Sequence, residues 1–145
     1  MKLNLNFFVS GVLLLTVALS CTKQKHTNEE IVQAMAKYDS LIVKQNPAEI
    51  AQAFTPDGKL GDAAMGRESI QQFLSKINSF KVLDQTSVTN TVQIRGDSAL
   101  QTGSYVQTDV NTKNDTVKAM GTFTCKWKWI DGEGWKIANI VTHPF

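Results

Sequence analysis

The side chains best suited to nucleophilic or metal chemistry in this sequence are two cysteines, Cys21 and Cys125, and two histidines, His26 and His143. The two histidines lie too far apart in sequence to share a zinc site of the usual short spacing. No Ser-His-Asp or Cys-His pattern occurs at a known catalytic spacing, and there is no glycine-rich phosphate loop. We therefore expect neither a metal nor another cofactor, and no nucleophilic catalysis.

Cys21 has a different chemistry, because the segment Ala18-Leu19-Ser20-Cys21 resembles the bacterial lipobox, whose cysteine is acylated and becomes the mature N-terminus. Residues 7–19 form a nearly unbroken apolar run after the positive charge of Lys2. This run is shorter than the roughly 20 residues that a spanning helix needs. The pattern predicts a signal peptide over residues 1–20 and a lipidated Cys21. The alternative is an ordinary signal peptide with a cysteine nearby by chance.

Acylation of Cys21 would hold the protein on a membrane without crossing it, since each buried methylene contributes roughly 0.8 kcal/mol. Membrane lipid is thus a predicted partner. Residues 22–27 contain no apolar side chain and are interpreted as a flexible tether with His26 in solvent, within a lipidated and tethering segment 21–28. Because Thr22 is not the aspartate of an inner-membrane retention signal, the outer membrane is favoured over the cell membrane, with the domain facing the periplasm.

The charge and length of the remaining chain limit its partners. Removal of the signal peptide takes away Lys2 and leaves 14 basic against 13 acidic residues. This balance provides no long-range field for nucleic acid. Cys125 would be the sole cysteine of the folded part, so no intrachain disulfide is expected. The rest of the chain is long enough for one domain with a substantial core.

Three helices are predicted in the first half of this domain. Apolar residues recur at intervals of three and four residues over Asn28–Lys44, and Thr27 with Glu30 forms a capping box at the start. A short second helix starts at Pro47 after an Asn46 cap, and Thr55-Pro56-Asp57-Gly58 then predicts a turn. A third helix follows Gly66, with Ile70, Phe73, Leu74 and Ile77 as its buried stripe.

Beyond Phe80 the pattern changes from helical to alternating, which predicts four antiparallel strands separated by turn clusters, near residues 88–94, 98–111, 117–130 and 135–142. In the third of these strands Phe123, Cys125, Trp127 and Trp129 share one face, so that face is expected to be packed and Cys125 to be a small core residue. Helices followed by a meander indicate an α+β domain. A curved sheet wrapped round helices leaves a cone whose wide end favours a pocket.

Several polar residues are predicted to face this pocket or the adjoining core. Asn139 alternates with Trp135, Ile137 and Val141, which places it on the apolar side of the last strand. Such a buried amide is either a core hydrogen-bonding group or a ligand contact. Gln107 shares a face with Tyr105, so the same two roles are predicted for its amide. His143, beside the chain end, is interpreted as a frayed residue.

The order of elements resembles the SnoaL-like branch of the nuclear transport factor 2-like superfamily, and most of all its domain of unknown function 4440. The resembling motifs are Gly66-Arg67-Glu68-Ser69-Ile70, Gly96-Asp97-Ser98-Ala99 and Gly134-Trp135-Lys136-Ile137. The resemblance implies a SnoaL-like domain over residues 29–145, with a cone-shaped, curved antiparallel sheet around three N-terminal helices, the cystatin-like fold. Because that superfamily includes isomerases, dehydratases and cyclases as well as members without catalysis, it leaves the activity open.

Aligned with ketosteroid isomerase, Tyr38 falls where that enzyme has its oxyanion-hole tyrosine and Asp62 where it has its general-base aspartate. The resemblance therefore implies that Asp62 could take a proton beside a carbonyl while Tyr38 donates to the oxygen. Phe54 matches a core phenylalanine. The enzyme's second acid falls at Cys125, and a thiol is a poor replacement. Phe54, Tyr105, Cys125, Trp127 and Asn139 are the expected pocket residues.

Three functions follow from these patterns. The favoured one is a membrane-tethered pocket domain that binds a small, largely apolar molecule or a partner's peptide without catalysis. The second is an isomerase, dehydratase or cyclase that uses Asp62 as base and Tyr38 as hydrogen-bond donor. The third is a structural module that forms homodimers through an open face of the sheet.

Overall fold

The computed structural model describes residues 25–77 and 80–145, so the predictions for the signal peptide and Cys21 lie outside the described residues. Three helices occur, α1 (Asn28–Lys44), α2 (Pro47–Gln52) and α3 (Arg67–Lys76). The strands are β1 (Phe54–Leu60), β2 (Ala64–Met65), β3 (Phe80–Arg95), β4 (Ser98–Asn111), β5 (Thr116–Ile130) and β6 (Gly134–Pro144). Within the described ranges, no helix combines the length and the apolar character that crossing a membrane requires.

The helices begin and end as their sequences dictate. Thr27 Oγ1 accepts from the Glu30 backbone N–H at 3.4 Å, as the predicted capping box requires. Asn46 Oδ1 accepts from the N–H groups of Ala48 and Glu49, with Pro47 at the first helical position. α1 ends at Lys44, and the capping residue Gln45 adopts the left-handed conformation at φ 53°. All three predicted helices are therefore confirmed.

The six strands form one sheet in the order β2-β1-β6-β5-β4-β3. The meander from β3 to β6 is antiparallel, as predicted, whereas β1 pairs with β6 in parallel. The predicted turn over residues 55–58 lies inside β1, where the register with β6 shifts between Phe54 and Lys59. Gly58 comes so close to the Ile137 carbonyl that an added Cβ would lie 2.8 Å from its oxygen. Residues 55–58 thus stay within the sheet as an irregularity of β1 near its edge, and the prediction that they form a turn is wrong.

One face of the sheet packs on the helices. The core joins α1 and α3 to β1, β5 and β6, and its fully or nearly fully buried members include Ile31, Met35, Phe54, Ile70, Phe123, Cys125, Trp127 and Ile137. On β5, Lys126 and Lys128 alternate with these residues and are exposed. The predicted faces of this strand are therefore confirmed, and the opposite side of the sheet is called the outer face below.

The residues just before α1 belong to the folded domain, so the prediction of a solvated His26 is wrong. Only 4% of its surface is exposed, and its ring centroid lies 4.5 Å from that of Trp129 and 4.8 Å from that of Trp135. Its Nδ1 lies 2.8 Å from Glu30 Oε2, which also accepts from the Trp135 indole N–H at 3.0 Å. Two tryptophans at the ends of β5 and β6 leave a gap that His26 fills.

Candidate functional site

A cavity of about 170 Å³ lies between α1 and the inner face of the sheet. Its walls are mainly apolar. They consist of Met35, Tyr38, Asp39 and Ile42 of α1, Leu60 of β1, Gln85 and Ser87 of β3, Tyr105 and Gln107 of β4, Phe123 of β5, and Ile140 and Thr142 of β6. The site thus draws on one helix and five strands, and its polar groups are concentrated on α1, β3 and β4.

Tyr38 is the central polar group of this cavity. Its ring packs edge-on against Phe54 at a centroid distance of 6.0 Å, and only 8% of the residue is exposed. Burial raises the pKa of the Tyr38 hydroxyl well above its ordinary value, and the neighbouring Cys125 and Asp39 act in the same direction. The phenol is therefore a protonated donor. It forms no hydrogen bond with the described residues, but its oxygen is not among their fully buried unpartnered atoms, so it is open to the cavity.

Asp39 shares this cavity and was not predicted as a site residue. Its Oδ2 accepts from the Ser87 backbone N–H at 2.8 Å, and its Oδ1 accepts from Ser87 Oγ at 2.8 Å and Gln85 Nε2 at 3.3 Å. This carboxylate, 6% exposed, fastens α1 to β3. Asp39 falls on the stripe Met35, Tyr38, Ile42 at helical spacing, so a charged residue among apolar ones was the available signal.

The protonation of Asp39 should make stability depend on pH. Burial raises the pKa of this carboxyl above its ordinary value near 3.8, although the bonds from Ser87 and Gln85 oppose the shift. The folded state therefore keeps the proton to a higher pH than the unfolded state, so this group's contribution to stability is complete below pH 3.8 and falls as pH rises beyond it. The isosteric Asp39→Asn variant does not lose stability in this way, because its amide does not titrate.

Urea unfolding of both proteins from about pH 3.5 to about pH 6 measures this effect. We expect the wild-type free energy of unfolding to fall relative to that of Asp39→Asn across the range. Acids whose pKa is lowered, such as Glu30 and Glu133, are common to both proteins and cancel in the difference. A difference that stays flat or grows with pH would show that burial does not control Asp39.

The structure gathers only part of the predicted site. Tyr38 and Tyr105 line the cavity together, and Phe54 packs against the Tyr38 ring without lining the cavity itself. Cys125 is fully buried in the core, where burial raises the pKa of its thiol and keeps it protonated. Trp127 lines a neighbouring cavity of about 270 Å³ between α1 and the start of β6. Neither Cys125 nor Trp127 is a wall of the 170 Å³ cavity, whereas Tyr38 lines both cavities.

Asp62 and Asn139 lie elsewhere. Asp62 is exposed in the turn that joins β1 to β2 and does not line the cavity, so it does not converge with Tyr38. A register shift between β5 and β6 at Lys126 and Trp127 places Ala138 in a bulge. Because the bulge reverses the alternation, Asn139 pairs with Lys126 on the outer face instead of the predicted inner face. Its Oδ1 is nevertheless buried and has no hydrogen-bond partner among the described residues.

The SnoaL-like domain family matches residues 25–141, which includes all three helices and nearly the whole sheet. The chain belongs to the SnoaL-like family. The predicted fold class is thereby confirmed, since solved nuclear transport factor 2-like proteins share this architecture. A comparison with curated proteins found no significant relative.

Three solved structures illustrate the similarity of this SnoaL-like domain to proteins of different description. A protein of unknown function from Mycobacterium tuberculosis is 20% identical, with a TM-score of 0.70 over 81% of this chain and 75% of that one. A ketosteroid isomerase-like protein from Erwinia carotovora is 18% identical, with a TM-score of 0.68 over 83% of this chain and 98% of that one. A nuclear transport factor 2-like protein from Salmonella enterica is 16% identical, with a TM-score of 0.65 over 80% of this chain and 89% of that one. At these identities the likeness establishes the fold alone.

Proposed function

We propose that this chain is an exported, lipid-anchored protein whose SnoaL-like cavity binds a small, largely apolar molecule without catalysis. The observation that carries the proposal is the Tyr38 hydroxyl, a protonated donor that forms no hydrogen bond with the described residues and opens into a cavity with mostly apolar walls. Polar groups in mostly apolar surroundings are usually paired, so a free donor that opens into such a cavity favours a ligand that accepts from it.

The ligand chemistry follows from the walls. Met35, Ile42, Leu60, Phe123 and Ile140 favour a hydrocarbon body, and burying it supplies about 25 cal/mol per Å². A carbonyl or ether oxygen on that body would accept from Tyr38. A cavity of about 170 Å³ limits the molecule to a small ring or short chain, and its few polar groups would fix the orientation of the ligand.

The positions of the ionisable groups favour binding over reaction. Asp39 already accepts three hydrogen bonds from Ser87 and Gln85, and Cys125 is a buried neutral thiol. Asp62, the general base of the alternative isomerase hypothesis, is exposed in a turn. Among the described residues the cavity therefore offers a hydrogen-bond donor but no free base, whereas acid–base catalysis needs both within reach of the substrate.

The anchoring part of the proposal rests on the sequence before residue 25. The apolar run 7–19 and the lipobox-like segment ending at Cys21 support a signal peptide over residues 1–20 and acylation of Cys21. Thr22 supports delivery to the outer membrane with the domain in the periplasm. The folded domain then extends from the residues just before α1 to the end of β6.

Tyr38→Phe should weaken binding of an acceptor ligand and spare its apolar analogue. Cyclohexanone and methylenecyclohexane have nearly the same shape, but only the ketone accepts from a phenol. Loss of one hydrogen bond costs about 0.5–1.5 kcal/mol, or roughly a twofold to twelvefold rise in Kd for the ketone. NMR titration of the methyl groups of Ile140 and Thr142 measures both ligands.

Asp62→Asn is the matched control, because its side chain lies outside the cavity and should leave both Kd values unchanged. Equal losses for the two ligands in Tyr38→Phe would mean that the hydroxyl does not bind the ketone. Absence of binding by either ligand to the wild-type protein would overturn the proposed pocket.

A further inference from the structure

The path of the chain before α1 is fixed at one end of the sheet. Lys25 Nζ lies 3.2 Å from Asp97 Oδ1 in the β3–β4 turn, and His26 is packed between Trp129 and Trp135. Three residues, 22–24, separate Lys25 from Cys21. Four peptide steps span at most roughly 14 Å when extended. A lipid on Cys21 would therefore hold this end of the sheet close to the membrane surface.

Three cations lie on the outer face at the same end. Arg95 and Lys128 both pair with Ser98 of β4, and Lys126 stands two residues further along β5. All three side chains are exposed, and none forms an ion pair within residues 25–77 and 80–145. They surround a groove of about 510 Å³. We call Arg95, Lys126 and Lys128 the basic end patch.

The carboxylates near this end are mostly neutralised. Asp97 pairs with Lys25, and Glu133 pairs with Arg67 at 2.9 Å and Lys136 at 3.4 Å. Asp131, in the β5–β6 turn, accepts from the Trp129 indole N–H and has no cationic partner in the described part of the chain. Glu30, at the start of α1, contacts His26 and the Trp135 indole N–H and has no lysine or arginine partner in the described residues. Three cations without ion pairs therefore outnumber two such carboxylates, Asp131 and Glu30, although the chain as a whole is almost neutral.

We infer that the basic end patch binds the anionic phosphate headgroups of the membrane to which Cys21 anchors the protein. The inference rests on the proposed lipid anchor, which sets the partner and the distance. A cation close to an anionic lipid surface gains about 1 kcal/mol, and the attraction decays over about 8 Å in physiological salt. A tether of at most roughly 14 Å keeps the patch near enough to the surface to come within that decay length, although the tether alone does not force the contact. The lipid attaches the domain, and the patch orients it.

Site-resolved acetylation of the lipidated wild-type protein tests this orientation. The protein is reconstituted on phosphatidylcholine vesicles with or without phosphatidylglycerol, and lysine acetylation rates are read by peptide mass spectrometry. We expect phosphatidylglycerol to slow acetylation of Lys126 and Lys128 by about fivefold, the equivalent of about 1 kcal/mol, and high salt to remove the effect. Lys118 is the internal control, since it lies on the same face of β5 as Lys126 and about 26 Å from it along the strand.

Each alternative gives a different pattern. Equal protection of Lys118, Lys126 and Lys128 on both vesicle types would indicate that a second copy covers the whole outer face, and would overturn the inference. Unchanged rates for all three lysines on vesicles that retain the protein would overturn it while leaving the anchor intact. Failure of the protein to stay on either vesicle would overturn the anchor, and the inference with it.

Discussion

Trp127→Ala is expected to lower the free energy of unfolding by about 3–5 kcal/mol. Trp127 is 3% exposed near the end of β5, and its removal leaves a cavity between the sheet and α1. Its indole N–H also donates to Gln101 Oε1 at 2.9 Å, and Gln101, fully buried, donates in turn to Thr89 at 2.8 Å. The substitution therefore removes apolar contacts and leaves a buried acceptor without its donor.

Trp127→Phe separates the two contributions, because phenylalanine keeps much of the apolar volume but cannot donate to Gln101. We expect this variant to lose about 1–3 kcal/mol, less than Trp127→Ala. Lys126→Ala, one residue away on the outer face, should stay within about 0.5 kcal/mol of the wild type. Urea unfolding followed by circular dichroism measures all three. An unchanged midpoint for Trp127→Ala would mean that Trp127 lies outside the core.

The sequence predicted those elements whose periodicity is set by burial on one face. α1 and the meander from β3 to β6 have apolar residues at spacings of about 3.6 and 2, respectively. α1 and the last three strands lie where those spacings placed them, whereas β3 begins at Phe80, eight residues before the predicted stretch 88–94. The faces of β5 followed from the alternation of Phe123, Cys125 and Trp127 with lysines. Burial of one face fixes the register of such strands, so local pattern and tertiary structure agree.

The errors arose where pairing between distant strands overrides the local pattern. Thr55-Pro56-Asp57-Gly58 has the composition of a turn, but pairing of Phe54 with Ile137 and Lys59 with Asn139 holds these residues within the sheet. Alternation along β6 put Asn139 inside, and the bulge at Ala138 turns it outward. A one-residue shift of this kind exchanges the faces and leaves no mark in the sequence of a single strand.

The candidate site could be predicted only in part for a related reason. Tyr38 stood on an apolar stripe and matched a known donor position, so it was found. Asp39 stood on the same stripe, but its role depends on Ser87 and Gln85, which are more than 40 residues away in sequence. Helical spacing shows that Asp39 is buried and gives no indication of which strand satisfies its carboxylate.

Cys21→Ala is expected to move the protein from the membrane fraction to the soluble fraction. The lipid is proposed as the sole apolar attachment once residues 1–20 are removed, and two or more acyl chains bind a bilayer far more strongly than one. The basic end patch would not retain the domain alone, because three surface cations provide only about 3 kcal/mol and are screened by salt. Fractionation followed by a high-salt carbonate wash measures the distribution.

Cys125→Ala is the matched control, since it removes the other cysteine, which is buried in the core, and should leave the protein in the membrane pellet. Intact mass must accompany both variants, because an unprocessed precursor would stay in the membrane through residues 7–19 without any lipid. We expect the wild type to lack residues 1–20 and to carry acyl mass on Cys21, and processed Cys21→Ala to carry none. A processed Cys21→Ala chain that survives the carbonate wash in the pellet would show that something other than a lipid on Cys21 holds this protein on the membrane.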